Sequence, residues 1–210
     1  MRSRVWVVPA VRLLLSILAM LLATGPSQAQ SLSGDAVGKA LRKGGYIIMM
    51  RHATSPREVP DKQTANQDNV KPERQLDQQG RASAAAMGKA LRELKIPIGD
   101  VLSSPTYRTL ETVRYAQFGT PQPYAELGDN GQSMQGGTAA QAAWLQKRAT
   151  EFPTRTNTII VTHLTNLTGA FPQQALGLAE GEAIIFGSDG KGGMTLVARV
   201  KIEEWPKMRP

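Results

Sequence analysis

The chain has 210 residues, two histidines, no cysteine and a formal net charge of +8. The lack of cysteine excludes thiolate chemistry and a disulfide-stapled scaffold, and with two histidines it argues against a structural zinc site. The basic residues are spread along the chain and aromatic residues are few, which does not favour nucleic-acid binding. A modest positive charge instead suits a protein that attracts small acidic or phosphorylated molecules.

The first residues are typical of a secretory signal peptide. Three arginines lead into the apolar residues 13–23, and Ser27 and Ala29 provide the small side chains of a cleavage site. The apolar segment is short for a membrane span, although an uncleaved anchor is the alternative. Cleavage after Ala29 predicts a leader over residues 1–29. The remaining residues 30–210 would form one exported domain, periplasmic or secreted and without a membrane attachment. Cleavage also lowers the net charge to +5, because three arginines are lost.

The rest of the chain alternates between predicted helices and strands. In chain order the pattern predicts helix 35–43, strand 45–50, a long polar loop 54–74, a helix that starts at the N-cap Asp77 and ends before Pro97, strand 100–103, a helix 106–116 capped by Ser104, a loop 119–137, helix 139–149, strand 158–162, and a hairpin of strands 183–186 and 194–201. Such alternation predicts an α/β fold, a three-layer α/β/α sandwich with a mostly parallel sheet. The terminal hairpin would add an antiparallel edge.

Both histidines lie at the exits of apolar strands. Arg51-His52 follows the first strand, and His163 follows the strand that ends at Thr162. Parallel sheets place active groups at the carboxyl ends of their strands, so these two imidazoles are candidates for one site. An arginine beside the first histidine favours an anionic substrate, because guanidinium binds phosphate oxygens in pairs.

Several segments in the right order resemble the histidine phosphatase superfamily, which has the phosphoglycerate mutase-like fold. Arg51-His52-Ala53-Thr54 is similar to its Arg-His-Gly signature, with alanine at the usual glycine. Residues 102–112 are similar to its second motif, Ser-x-x-x-Arg-x-x-x-Thr, with Arg108 as the arginine. His163 takes the place of the second histidine, and the resemblance covers residues 44–200. Each of these short motifs is weak alone, but in the family order they are fairly specific together.

The resemblance implies a metal-independent phosphatase, a phosphoric monoester hydrolase that needs no cofactor and acts on a small phosphorylated substrate. His52 would attack phosphorus and carry the phosphoryl group, while Arg51, Arg108 and His163 hold the phosphoryl oxygens and Thr54 adds a substrate contact. Elementary chemistry agrees, because histidine is a nucleophile that is neutral near pH 7 and the charged oxygens need fixed donors. Amides at the start of the Arg108 helix would also favour an anion.

The sequence is compatible with more than one acid as the proton donor to the leaving group. One branch of the superfamily has an acidic donor in the loop after the second arginine motif, and Glu126 is the nearest candidate here. The alternative interpretation of Glu126 is an exposed loop residue. Glu182 is a third option, and a good leaving group needs no donor. Leu164 follows the second histidine where another branch has aspartate, which argues against that branch's chemistry.

Two rival interpretations come from other classes of protein. The same pocket would also serve a non-catalytic module of the cell envelope that binds phosphate or a phosphorylated ligand. A surface binder acting through its basic charge would bind anionic polymers in a salt-sensitive manner. Residues 54–74 and 119–137 are expected to select the substrate, and neither the substrate nor the oligomeric state can be read from the chain.

Overall fold

The computed structural model describes residues 31–129 and 138–210, and the predicted leader lies outside them. In this part of the chain, six strands form one sheet: β1 (Tyr46–Arg51), β2 (Ile98–Ser103), β3 (Gln122–Pro123), β4 (Asn157–Thr162), β5 (Ala183–Ser188) and β6 (Met194–Val200). The helices of the same residues are α1 (Asp35–Leu41), α2 (Gln78–Glu93), α3 (Tyr107–Ala116), α4 (Ala139–Arg148) and α5 (Leu164–Ala170), with 3₁₀ helices at Ala125–Leu127 and Ile202–Lys207.

The sheet has the strand order β3-β2-β4-β1-β5-β6. The first four strands run parallel, and β5 is antiparallel to both of its neighbours. The predicted α/β fold, with a mostly parallel sheet and an antiparallel terminal hairpin, is therefore confirmed. Parallel neighbours end at the same edge of the sheet, so the loops after β1, β2 and β4 meet there.

Alternate residues of β1 serve two separate cores, one on each face of the sheet. Ile48 and Met50 belong to the core that also contains residues of α1, α2 and α3. Ile47 and Met49 belong to the second core, with residues of α4 and α5. Side chains of a strand alternate between its two faces, so a strand that is apolar at every position must be covered on both. This confirms the three layers.

The start of α3 differs from the prediction. Thr106, rather than Ser104, is the N-cap residue. The side chain of Ser104 is fully buried, and its oxygen accepts a hydrogen bond from the backbone N–H of Thr106 at 3.2 Å. Arg108 is consequently the second residue of α3, and not one turn inside the helix.

Four short elements escaped the sequence pattern: β3, α5 and the 3₁₀ helices Ala125–Leu127 and Ile202–Lys207. The strand β3 has two residues, too few to show alternation. The helix α5 contains threonine, asparagine and glycine, which have low helix propensity, so its stability comes from packing against the sheet. Residues 130–137 of the predicted loop 119–137 lie outside the described residues.

Candidate functional site

The two imidazoles lie side by side at the carboxyl edge of the sheet. In the parallel pair of β1 and β4, Arg51 lies opposite Thr162, so the next residues, His52 and His163, are neighbours. Their ring centroids are 5.5 Å apart and their planes are inclined by 63°. Both side chains are buried. The structure thus brings together two predicted site residues that are more than one hundred positions apart in the sequence.

His52 presents one particular nitrogen as a nucleophile. Its Nδ1 lies 2.8 Å from the carbonyl oxygen of Ala53. A carbonyl can only accept, so the proton is on Nδ1 and Nε2 carries the lone pair. Among the described residues, Nε2 has no hydrogen-bond partner. Burial, together with the charges of Arg108 and Arg51, lowers the pKa of His52 to about 3, so the imidazole is neutral at pH 7.

His163 has the opposite tautomer. Arg108 Nη2 donates to its Nδ1 at 3.1 Å, because an arginine can only donate. Nε2 therefore carries the proton, and it lies 3.0 Å from Ser104 Oγ and 3.2 Å from Thr106 Oγ1. Burial first, and Arg108 second, lower the pKa of His163 to about 2. The ring is thus neutral and is fixed by partners on both of its nitrogens.

Each predicted arginine is paired with a carboxylate that the sequence did not reveal. Arg51 Nη2 donates to Glu180 Oε1 at 2.8 Å, and Arg108 Nη2 donates to Asp129 Oδ2 at 2.6 Å. The Nε atoms of both arginines are buried without a hydrogen-bond partner. An unpaired buried donor is costly, so an anion that accepts from these groups would be favoured.

The threonine of the second arginine motif explains how the two halves of the site are joined. Thr112 Oγ1 donates to the carbonyl of Arg108 at 2.9 Å and accepts from the backbone N–H of Ala53 at 3.1 Å. Ala53 follows His52 directly, so the bond ties the nucleophile's loop to the helix that carries Arg108. The spacing of four residues places both motif side chains on adjacent turns of α3.

The start of the long loop packs against the N-terminus of α2. The carbonyl of Thr54 accepts from the backbone N–H of Asp77 at 3.2 Å. A Cβ at Gly80 would lie 2.1 Å from this carbonyl, so only glycine permits the approach. Asp77 is the N-cap as predicted, and its side chain accepts from Gly80 N. The side chain of Thr54 itself makes no hydrogen bond with the described residues, and its predicted role stays a prediction.

The three acidic candidates are placed very differently. Glu126 is half-buried in the first 3₁₀ helix, and its carboxylate has no hydrogen-bond partner within residues 31–129 and 138–210. Glu182 is buried and accepts from Arg199 Nε and from the backbone N–H of Ala179, which indicates a structural role. Asp129, which the sequence analysis missed, is the carboxylate in contact with Arg108.

A third arginine, Arg74, also lies beside the site. Its Nε donates to the carbonyl of Pro56 at 2.8 Å and its Nη2 to the carbonyl of Ser55 at 2.9 Å. Its charge lowers the pKa values of His52 and His163. A single arginine at the end of a polar loop has no periodicity or motif around it, and the sequence analysis therefore did not select Arg74.

Two further properties of the described residues bear on function. No group of three or more His, Asp or Glu side chains in that part of the chain is arranged to hold a metal ion. None of the helices there is long and apolar enough to cross a membrane.

Comparison with known proteins relates part of the chain to one family. The sequence profile of the histidine phosphatase superfamily (branch 1) matches residues 47–129, which contain Arg51, His52 and Arg108. Over these residues the chain is similar to the histidine phosphatase superfamily. A comparison with curated proteins finds no match. This similarity supports a phosphatase activity in general terms.

Solved structures of the superfamily share the fold at low sequence identity. The protein histidine phosphatase SixA, solved with tungstate, is 18% identical, has a TM-score of 0.53, and covers 75% of this chain and 97% of its own. The mycobacterial glucosyl-3-phosphoglycerate phosphatase Rv2419c is 15% identical, with a TM-score of 0.50 over 73% of this chain and 97% of its own. Phosphoserine phosphatase from Entamoeba histolytica, solved with 3-phosphoglyceric acid, is 14% identical, with a TM-score of 0.52 over 76% and 98%.

Proposed function

We propose that this protein is a phosphatase that hydrolyses a phosphate monoester or related phosphoryl group through a phosphohistidine intermediate on His52. The observation that carries the proposal is the neutral His52 ring, whose Nδ1–H is held by the Ala53 carbonyl while Nε2 remains free. His163 lies beside it and Arg108 contacts His163, so donors surround the place where a phosphoryl group would sit. No metal enters this mechanism.

The reaction has two displacement steps. In the first, the lone pair of His52 Nε2 forms a bond to phosphorus while the ester P–O bond breaks and its electrons leave with the oxygen. In the second, a water oxygen attacks phosphorus, the N–P bond breaks, and the electrons return to Nε2 with release of inorganic phosphate. Arg51, Arg108 and His163 would stabilise the charge on the three equatorial oxygens in both steps. Removal of one such donor typically lowers the rate about a hundredfold or more.

The role of His52 as the nucleophile is tested by substitution. We expect His52→Ala to abolish turnover of p-nitrophenyl phosphate, whereas Arg155→Gln, an exposed charge change before β4 at the other end of the strand, leaves it intact. Rapid quenching with labelled substrate should trap an acid-labile, base-stable phosphoenzyme in the wild type and none in His52→Ala. Turnover that survives in His52→Ala would refute the mechanism. Phosphate binding without turnover in the wild type would favour the non-catalytic binding module.

The proton for the leaving group would come from Glu126, with Asp129 as the second candidate. Glu126→Gln and Asp129→Asn should be compared on p-nitrophenyl phosphate and on an alkyl phosphate, whose leaving group is far more basic. Loss of the donor slows the alkyl ester by roughly a hundredfold or more and spares the nitrophenyl ester, because only a basic leaving oxygen needs the proton. Equal losses on both esters would indicate that the residue acts on binding instead.

The substrate is proposed to be small and anionic, and the protein is proposed to act outside the cytoplasm. Complexes of the fold relatives with tungstate and with 3-phosphoglyceric acid support a pocket for a tetrahedral oxyanion. The leader over residues 1–29 supports export. Fractionation of cells that express the full chain, with N-terminal sequencing of the product, tests export. A cytoplasmic protein that starts at Met1 would contradict it.

A further inference from the structure

Arg74 is held rigidly next to the nucleophile's loop. Its Nε and Nη2 donate to two successive carbonyls, those of Pro56 and Ser55, at 2.8 and 2.9 Å. Two hydrogen bonds from one planar group fix its orientation, and the carbonyls belong to residues three and four positions after His52. Nη1 has no hydrogen-bond partner among the residues that the structure describes.

The residue before Arg74 fixes the other side of this arrangement. Glu73 Oε2 accepts from the backbone N–H of Tyr107 at 2.9 Å, at the first residue of α3. Arg108 is the next residue of that helix. The Glu73-Arg74 pair therefore joins the two halves of the site, the segment after His52 and the start of the Arg108 helix. Its charge acts on both: Arg74 lowers the pKa values of Arg51 and Arg108 as well as those of the histidines.

The charges of the other two arginines are compensated. Arg51 pairs with Glu180 and Arg108 pairs with Asp129. Both histidines are neutral. Arg74 has no carboxylate partner within the described residues, since both of its bonds go to backbone carbonyls. Of the three arginines whose charges act on both histidines, Arg51, Arg74 and Arg108, it is therefore the one that no carboxylate offsets.

We propose that Arg74 is a third arginine of the phosphate pocket and that its uncompensated charge, rather than Arg51 or Arg108 alone, makes the pocket attract a dianionic phosphoryl group. The inference rests on the proposed function in one respect, that this pocket holds the phosphoryl group. The proposal adds a substrate-binding residue from the long loop. It would explain why hydrogen bonds join Arg74, at the end of this loop, to Ser55 and Pro56 at its start.

The experiment uses inorganic phosphate as the probe and calorimetric affinity as the readout, on the full-length chain or its processed form. Arg74→Gln removes the charge, Arg74→Lys keeps it, and Arg155→Gln is the matched loss of a distant exposed arginine. We expect Arg74→Gln to weaken phosphate binding about tenfold or more, as for loss of a charge-assisted bond, and Arg74→Lys to weaken it far less. Arg155→Gln should bind like the wild type. Arg74→Met repeats the test if the glutamine variant folds poorly.

A second readout separates charge from loop anchoring. The salt dependence of phosphate binding provides this readout. Added salt screens a charge but leaves the hydrogen bonds of the loop in place, so phosphate affinity should fall less with salt in Arg74→Gln than in the wild type, and as much in Arg74→Lys as in the wild type. Equal weakening of phosphate binding in the lysine and glutamine variants, with unchanged salt dependence, would overturn the proposal, as would phosphate affinity within twofold of wild type in Arg74→Gln. Turnover is not used here, so failure of the phosphohistidine mechanism would be seen separately.

Discussion

Acidification should destabilise this protein strongly, because its two histidines are buried in the neutral form. In the folded state their pKa values are about 3 for His52 and about 2 for His163. An unfolded chain has histidines with a pKa of about 6.5. Between those values the unfolded state binds more protons than the folded state, so stability is lost as the pH falls below 6.5.

The magnitude follows from the width of this window. Each pH unit below 6.5 costs about 1.4 kcal/mol for each buried neutral histidine. At pH 5, which is above both folded pKa values, the loss is about 2 kcal/mol for each ring and about 4 kcal/mol for the pair. That is a large part of the free energy of unfolding of a typical domain, which is about 5–15 kcal/mol.

The assay is urea unfolding, followed by tryptophan fluorescence, at pH 7 and pH 5 in buffer without phosphate. The double variant with His52→Asn and His163→Asn is the control, because asparagine supplies an amide near the position of Nδ1 and does not titrate. We expect the wild type to lose about 4 kcal/mol more than the double variant over this range. Equal losses in both proteins would show that the imidazoles are not held neutral by burial, and would refute the reasoning.

Three further predictions follow from single contacts. Gly88→Ala should lower the free energy of unfolding in urea by several kcal/mol, since its Cβ would lie 1.7 Å from the carbonyl oxygen of Ala116. Gly38→Ala is the control: its Cβ would lie 3.7 Å from the nearest atom, so the change should be neutral or stabilising by about 0.5–1 kcal/mol. If both are tolerated equally, α2 and α3 do not pack this closely. Nitrogen-15 spectra at pH 7 should show the proton of His52 on Nδ1 and that of His163 on Nε2, and the reverse tautomers would contradict the assigned donors. Thr112→Val should lower kcat on p-nitrophenyl phosphate about tenfold and stability by about 1–3 kcal/mol, because the N–H of Ala53 loses its acceptor; unchanged kcat would show that this bond does not position His52.

The positions of the two histidines were predictable because local pattern and sheet topology act together. An apolar run followed by a polar residue marks the end of a buried strand, and parallel strands end at one edge. His52 and His163 follow such runs, so their proximity needed only the strand order to be confirmed. Arg108 was predictable from its motif, and Thr112 shows why the motif has its spacing.

The ionic partners of the site were not predictable in the same way. Glu180, Asp129 and Arg74 come from loops, where no periodicity fixes the direction of a side chain. A loop residue reaches the site only through the path of the backbone, and that path is set by contacts between distant segments. The wrong assignment of Ser104 as a helix cap has the same origin, because its oxygen faces His163 in the folded chain as well as Thr106.

The amino-acid sequence by itself determined the α/β layers, the strand exits that carry the two imidazoles, and the resemblance to a family. These depend on hydrophobic periodicity and on short motifs, which are local properties of the chain. The tertiary structure alone decided which nitrogen of each histidine is free, which arginine charges are offset by carboxylates, and which loop cation remains uncompensated. Those properties arise from distances between residues far apart in the chain, and electrostatic and hydrogen-bond energies depend on such distances rather than on sequence spacing.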